Sequence, residues 1–238
     1  MSDRQRYISS ELTHFVGSAL ESNDERYKLL ARILREGWIT YPPHDKSTRT
    51  SKSLIINRTE KISDSTNKMY VPSMVCFCDI PIGDLHIHME KYSRFGLAFD
   101  KQFIACNGGG PMYYVPKNAV PVWPESNDPE IKRKHVFDRS IKECYNLLDE
   151  LICADNEWSE KAKRVSSFLG TNIFAFIRCF DHRLDDDDPD NYYFEREWRI
   201  LGSLNFKMTD VSRILLPGKY ARRFREDFPA YYGELIIL

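Results

Sequence analysis

The chain has 238 residues and a mass of 28.0 kDa, and 42% of its residues are hydrophobic, enough for one sizeable core or at most two small ones. Its 34 Lys and Arg against 35 Asp and Glu leave a formal net charge of -1, which excludes a global pull toward nucleic acid or an anionic membrane and leaves such binding to local patches. With 14 Phe, 13 Tyr and 4 Trp, the composition is too rich in large apolar side chains for a disordered chain, and we expect one domain over residues 1–238.

The opening "MSDRQRYISSELTHFVG" lacks the apolar core of a signal peptide, and no apolar run approaches the roughly 18 residues of a spanning helix. The expectation is a soluble, cytoplasmic protein with no membrane partner. "LTHFVG" reads as a short strand. "DERYKLLARILREG" predicts a helix, with Leu29, Leu30, Ile33 and Leu34 at helical spacing, Asn23 or Asp24 placed to cap it and Gly37 placed to stop it. Residues 41–69 are rich in Ser, Thr, Lys and Asn around a brief "SLII", and a polar segment of this length is functional or mobile. The sequon at Asn57 is expected to stay unglycosylated in that compartment.

Next come a buried strand in "SMVCFCDIP", a short helix in "GDLHIHMEKYSRFG" ended by Gly96, and strands in "LAFD" and "PMYYVP". After a Pro-punctuated connection over 116–129, "FDRSIKECYNLLDELICAD" sets Ile141, Cys144, Tyr145, Leu148, Leu151 and Ile152 along one helical stripe. "NIFAFIRCF" and "YFEREWRI" read as neighbouring strands joined by the acidic turn "DDDDPD". "VSRILLPG", "YARRFREDF" and "GELIIL" close the chain as strand, helix and strand. The alternation predicts an α+β fold with a central mixed, mainly antiparallel sheet flanked by helices.

Several clusters invite a chemical reading. Six cysteines sit mostly in apolar stretches, as reduced core thiols do. Cys76, Cys78, His86 and His88 have the right ligand types for zinc. The cysteines are spaced too closely for the usual pair, however, and two histidines at i, i+2 on a helix diverge by about 200°, so no metal is expected. "NGGGP" lacks dinucleotide-fingerprint spacing and reads as a turn. On a strand, Tyr193, Glu195, Glu197 and Arg199 share one face and Phe194, Arg196, Trp198 and Ile200 the other. Two carboxylates about 7 Å apart on one face call for answering cations, and Arg199 can answer one. "KRKH" at 132–135 and "KYARRFR" at 219–225 are basic. In the second, Arg222 and Arg223 beside Tyr220 and Phe224 can follow a phosphate backbone while an aromatic stacks, or simply form a solvated helix face.

The segments "YISSELTHFVG", "LLARILREGWIT", "VCFCDIPIGDLHIHMEKYSRFGLAFDKQF" and "FEREWRI" together resemble the AbiGi family of bacterial abortive phage-infection proteins. The resemblance implies a phage-defence protein of toxin–antitoxin type, with the antitoxin role and a protein partner encoded alongside. A more distant resemblance is to ADP-ribosyltransferases: a strand with His, a helix ended by Gly, and a late strand with Glu-x-Glu. It implies NAD as a substrate, His14 with Thr13 on the adenosine ribose, Tyr92 or Tyr114 on nicotinamide, and Glu197 stabilising the oxocarbenium character that develops on the nicotinamide ribose. Glu195 would activate the acceptor and Arg199 would hold a phosphate. Three function classes follow: an NAD-dependent transferase, a noncatalytic antitoxin or phage-sensing module, and an RNA-binding or RNA-cleaving protein using Arg222, Arg223 and the glutamates, nucleic acid being a target in the first and third.

Overall fold

A seven-stranded sheet organises the first of two compact units in the computed structural model, which describes residues 9–41, 44, 54–56, 70–117, 137–154, 156–185, 188 and 191–238. The first unit comprises Met1–Lys52, Ser73–Met112 and Phe194–Leu238, and the second Ser53–Pro72 and Tyr113–Tyr193.

In the first unit the chain runs β1 (Glu11–Phe15), α1 (Asn23–Glu36) and β2 (Trp38–Ile39). In the second, β3 (Leu54–Ile56) and β4 (Tyr70–Pro72) form an antiparallel pair. The first unit resumes with β5 (Met74–Cys78), a 3-10 turn (Ile82–Asp84), α2 (His86–Lys91), β6 (Gly96–Asp100), α3 (Lys101–Cys106) and β7 (Gly110–Pro111). The second holds β8 (Tyr113–Pro116), α4 (Phe137–Cys153), α5 (Ser159–Asn172) and β9 (Ile177–Phe180). The first ends with β10 (Glu197–Leu201), β11 (Leu204–Asn205), β12 (Val211–Leu216), α6 (Ala221–Asp227) and β13 (Glu234–Ile237). The sheet order is β13-β12-β6-β1-β5-β10-β7. Every neighbouring pair is antiparallel except β12 with β13, so the expected α+β class with a mixed, mainly antiparallel sheet flanked by helices is the one observed.

Helix α1 is capped by Ser22, one residue before Asn23 and two before Asp24, the caps expected. The Ser22 hydroxyl accepts from the Glu25 N–H at 3.2 Å, and the Glu25 carboxylate accepts in return from the Ser22 N–H at 3.2 Å, satisfying two otherwise orphaned donors. Gly37 stops the helix as expected, at φ 65. A Cβ there would lie 2.7 Å from the Phe206 carbonyl oxygen, so glycine is required by space as well as by conformation.

Strand alternation assigns the two faces of the sheet. On one, Leu12, Val75, Phe77, Leu97, Phe99, Ile200 and Ile214 pack with Tyr27, Leu30 and Leu34 of α1 and Phe224 of α6. On the other, Cys78 and Leu215 pack with Phe15, Met89 and Leu85, beneath the 3-10 turn and α2.

Two strand expectations change. "YFEREWRI" is not one strand: Tyr192–Glu195 is a 3-10 turn, Arg196 sits at φ 46 in the left-handed region, and β10 begins only at Glu197. Nor are β9 and β10 neighbours. Strand β9 pairs in parallel with β8, and β10 lies between β5 and β7. The helix α5, "SEKAKRVSSFLGTN", is absent from the sequence reading because its many polar and small residues blur the apolar stripe. Most of the polar segment 41–69, its sequon, the connection 118–129 and the basic run at 132–135 lie outside the described residues.

Candidate functional site

Four residues cross the polar half of the sheet in one row. Ala98 on β6 faces Thr13 on β1, Thr13 faces Cys78 on β5, and Cys78 faces Glu197 on β10. Arg199 stands one row along, opposite Cys76. Its Nε donates to Glu197 Oε1 at 2.8 Å and a terminal nitrogen donates to Oε2 at 3.2 Å, with both residues buried. A bidentate pair of this kind fixes both side chains and satisfies each charge in low dielectric. The Arg199 fork is therefore spent on Glu197, although the sequence reading set it on a dinucleotide phosphate.

Glu195 reaches the same side of the sheet from the turn before β10, not from a shared strand face. The kink at Arg196 makes this possible, its carbonyl accepting from the Asp79 N–H at 3.2 Å. The buried Glu195 carboxylate takes Lys91 Nζ at 2.7 Å and the Tyr92 hydroxyl on one oxygen, Oε1. Lys91 also sits 5.5 Å from the Tyr92 ring centre and 5.7 Å from that of Phe194, within cation–π range. Beside them His88, 2% exposed, is enclosed by the rings of Phe15, Tyr92 and Phe194. Burial holds its pKa below the usual histidine value against the opposing pull of Glu195.

A third buried carboxylate follows directly after β5, its cation Lys101 lying over the Trp198 ring of the other face. Both oxygens of Asp79 accept from Lys101 Nζ at 2.9 Å, and the Arg196 guanidinium lies 3.6 Å away. Among these groups the Cys78 thiol is raised, first by burial and then by the Glu195 and Asp79 charges. It is a poor nucleophile in that state.

The structure thus gathers Thr13, Tyr92, Glu195, Glu197 and Arg199 on one side of the sheet and sets His14 on the other. His14 shares the apolar face with Leu12 and Phe77, its ring 5.7 Å from that of Phe77. Burial depresses its pKa to about 4. Tyr114, the other aromatic considered for nicotinamide, belongs to the second unit, edge-on to Phe180 and Tyr193.

Sequence reasoning weighed His88 only as a zinc ligand, missed Lys91, Asp79 and Lys101, and gave Arg196 only a place on the opposite strand face. Lys91 was findable, because His88, Lys91 and Tyr92 stand at i, i+3 and i+4 of α2 and its C-cap, and so on one helix face. Asp79 and Lys101 meet only through the fold.

The nucleic-acid reading loses its aromatic half. Phe224 is fully buried and Tyr220 is 4% exposed, its hydroxyl bonded to Asp24 at 2.5 Å. Arg222 pairs with Glu226 at 2.9 Å and Arg223 with Asp227 at 3.7 Å, each one turn along α6. The two cations are largely answered within their own helix.

All six cysteines are free, with Cys78 and Cys179 buried but Cys106 and Cys153 exposed. Among the described residues no cluster of three His, Cys, Asp or Glu side chains is arranged to hold a metal ion, and no helix is long and apolar enough to cross a membrane.

No solved structure matches the chain. A curated relative, "Abortive phage resistance protein AbiGi" of Lactococcus lactis subsp. cremoris, is 33% identical over 69 residues. That match spans 27% of this chain and 27% of the relative. A family model described as "Putative abortive phage resistance protein AbiGi, antitoxin" matches residues 47–219. With nearly three quarters of its length inside that match, the chain belongs to the AbiGi family.

Proposed function

We propose that this chain serves abortive phage infection as the antitoxin member of a pair, binding a protein partner encoded beside it. The family match over residues 47–219 carries this reading. The polar side of the sheet supports it, since Glu197 and Glu195 are each answered by a cation of the same chain. Such a face is built as a scaffold rather than left open to a charged ligand. The test is coexpression: the product of the adjacent gene should arrest growth alone, and this chain should relieve the arrest and copurify with that product. An adjacent product harmless on its own, or arrest that persists although both chains are soluble, would overturn the reading.

A second reading follows from the posture of Glu195. Lys91 and the Tyr92 hydroxyl both hold Oε1, which orients the other oxygen as an acceptor. NAD would be the substrate of an ADP-ribosyl transfer. The ribose–nicotinamide C–N bond breaks with its electron pair leaving on nicotinamide, the acceptor bonds the ribose carbon, and Glu195 takes the acceptor's proton. In this scheme Glu197, held bidentately by Arg199, positions the strand or lends its charge to the developing cation. Release of nicotinamide from NAD by wild type but not by Glu195→Gln would establish it. Equal, background-level release by both would exclude it.

A further inference from the structure

The two edges of the seven-stranded sheet are built differently. At one end stands β7, two residues long, whose Pro111 has no N–H to offer. Shortness and proline are common devices that keep a sheet edge from pairing. At the other end stands β13, Glu234–Ile237, with three consecutive large aliphatic residues, no proline and no lysine. Its register with β12 runs unbroken over four pairs, so no bulge turns it away either.

The ladder fixes which backbone groups of β13 are open. Leu238, directly after the strand, donates its N–H to the Leu216 carbonyl at 3.1 Å and accepts from the Gly218 N–H at 3.3 Å. In a parallel pair one residue turns both backbone groups toward the neighbouring strand and the next turns both away. Ile236 and Glu234 therefore face β12. Leu235 and Ile237 point their N–H and C=O groups outward, where they have no hydrogen-bond partner among the described residues.

The side chains agree with an open edge. Leu235 packs with the core beneath α1 and Ile236 with the cluster beneath α2, so the strand is seated on both faces of the sheet. Ile237, on the face of Leu235 by alternation, is nonetheless 61% exposed, and Tyr232 just before the strand is 94% exposed. Large apolar residues thus border the open row of donors and acceptors.

The pattern is self-complementary. With two β13 strands antiparallel about a two-fold axis at Ile236, Leu235 of each copy stands opposite Ile237 of the other, and each such pair exchanges two hydrogen bonds. Every outward group of these residues is then used. Each cross-strand contact joins aliphatic to aliphatic, Leu235 with Ile237 and Ile236 with its own mate. The two Glu234 residues lie about 14 Å apart along the strands, beyond a screening length of about 8 Å. Each is also answered by Arg213 at 2.7 Å.

We propose that β13 is a self-association edge, on which a second copy of this chain adds its own β13 antiparallel and continues the sheet across the two-fold axis. This inference is independent of both the antitoxin and the NAD readings.

Sedimentation equilibrium of the full chain over a wide range of concentration tests it, together with residue-resolved amide exchange. The expected result is a monomer–dimer equilibrium in which the Leu235 and Ile237 amides, fast to exchange in dilute solution, slow as dimer forms, while the Ile236 amide is protected throughout. Ile237→Pro removes an outward N–H and no bond of the internal ladder. It should leave the melting temperature of the dilute chain unchanged and weaken association about tenfold or more, two hydrogen bonds being lost across the axis. Ile237→Lys, which puts a charge on the exposed edge, should weaken association as well, and it carries the test if the proline variant fails to fold. A chain monomeric at every concentration, a dimer whose Leu235 and Ile237 amides still exchange freely, or undiminished association of Ile237→Lys would overturn the proposal. Protection of those two amides only in the presence of the adjacent gene's product would also overturn it and give the edge to a strand of that protein.

Discussion

On one side of the seven-stranded sheet, Leu12, Phe77, Leu97 and Ile214 seal against α1 and α6; on the other stand Thr13 and Cys78, one residue further along β1 and β5, and Glu197 of β10. The apolar side is held by area removed from water, worth about 1.5–3 kcal/mol for each large side chain. It tolerates a loss locally, as a cavity. The polar side is held by matched charges, and losing one partner strands the other where water cannot reach it. Each side also hides a neutral imidazole, His14 on the apolar and His88 on the polar. The same strands thus build one surface that fails gradually and one that fails by pairs.

The largest effect should come from splitting a pair. Arg199→Ala leaves the buried Glu197 carboxylate unanswered and should cost about 3–5 kcal/mol, read as a fall in the denaturant midpoint at unchanged slope. The double change Glu197→Gln with Arg199→Met should restore most of that loss. A single change costing under about 1 kcal/mol would mean that water reaches the pair and that the two sides do not differ as described.

Acid should come next. His14 titrates near 4 in the folded chain against 6.5 ordinarily, so between those values the unfolded chain takes up a proton that the folded one refuses. Stability from this group is full above about pH 6.5 and falls by up to about 3 kcal/mol as the pH drops toward 4. Unfolding curves across that range should flatten in His14→Gln, and an unchanged slope would place the titrating group elsewhere. Ser22→Ala removes the cap of α1 and should cost about 1 kcal/mol, checked by thermal melting. Arg222→Ala, at a 92% exposed side chain paired within its own helix, should change stability by no more than about 0.5 kcal/mol. It serves as the floor against which the buried pair is measured.

Where the sequence spoke through periodicity, it could be read. The stripe of α1, the Gly37 stop and the buried run of β5 stand where their spacing puts them. The closing strand, helix and strand from Val211 to Ile237 do so as well. The pairing of Glu197 with Arg199 was visible as an i, i+2 relation on a strand. The kink at Arg196 was not, because nothing in "FEREWRI" announces a left-handed residue. Glu195 and Lys91 lie 104 positions apart, and contacts at that separation are fixed by topology alone. The same holds for His14 and Glu197: alternation is legible within each strand, but their placement on opposite sides depends on the β1–β5–β10 register.

Growth rescue by Glu195→Gln is the most direct test of the account. In cells expressing the product of the adjacent gene, the account predicts that wild type and a folded Glu195→Gln variant relieve arrest equally, the polar face being a scaffold. Rescue by wild type alone, accompanied by nicotinamide release that the variant lacks, would contradict it and make that face the seat of a reaction.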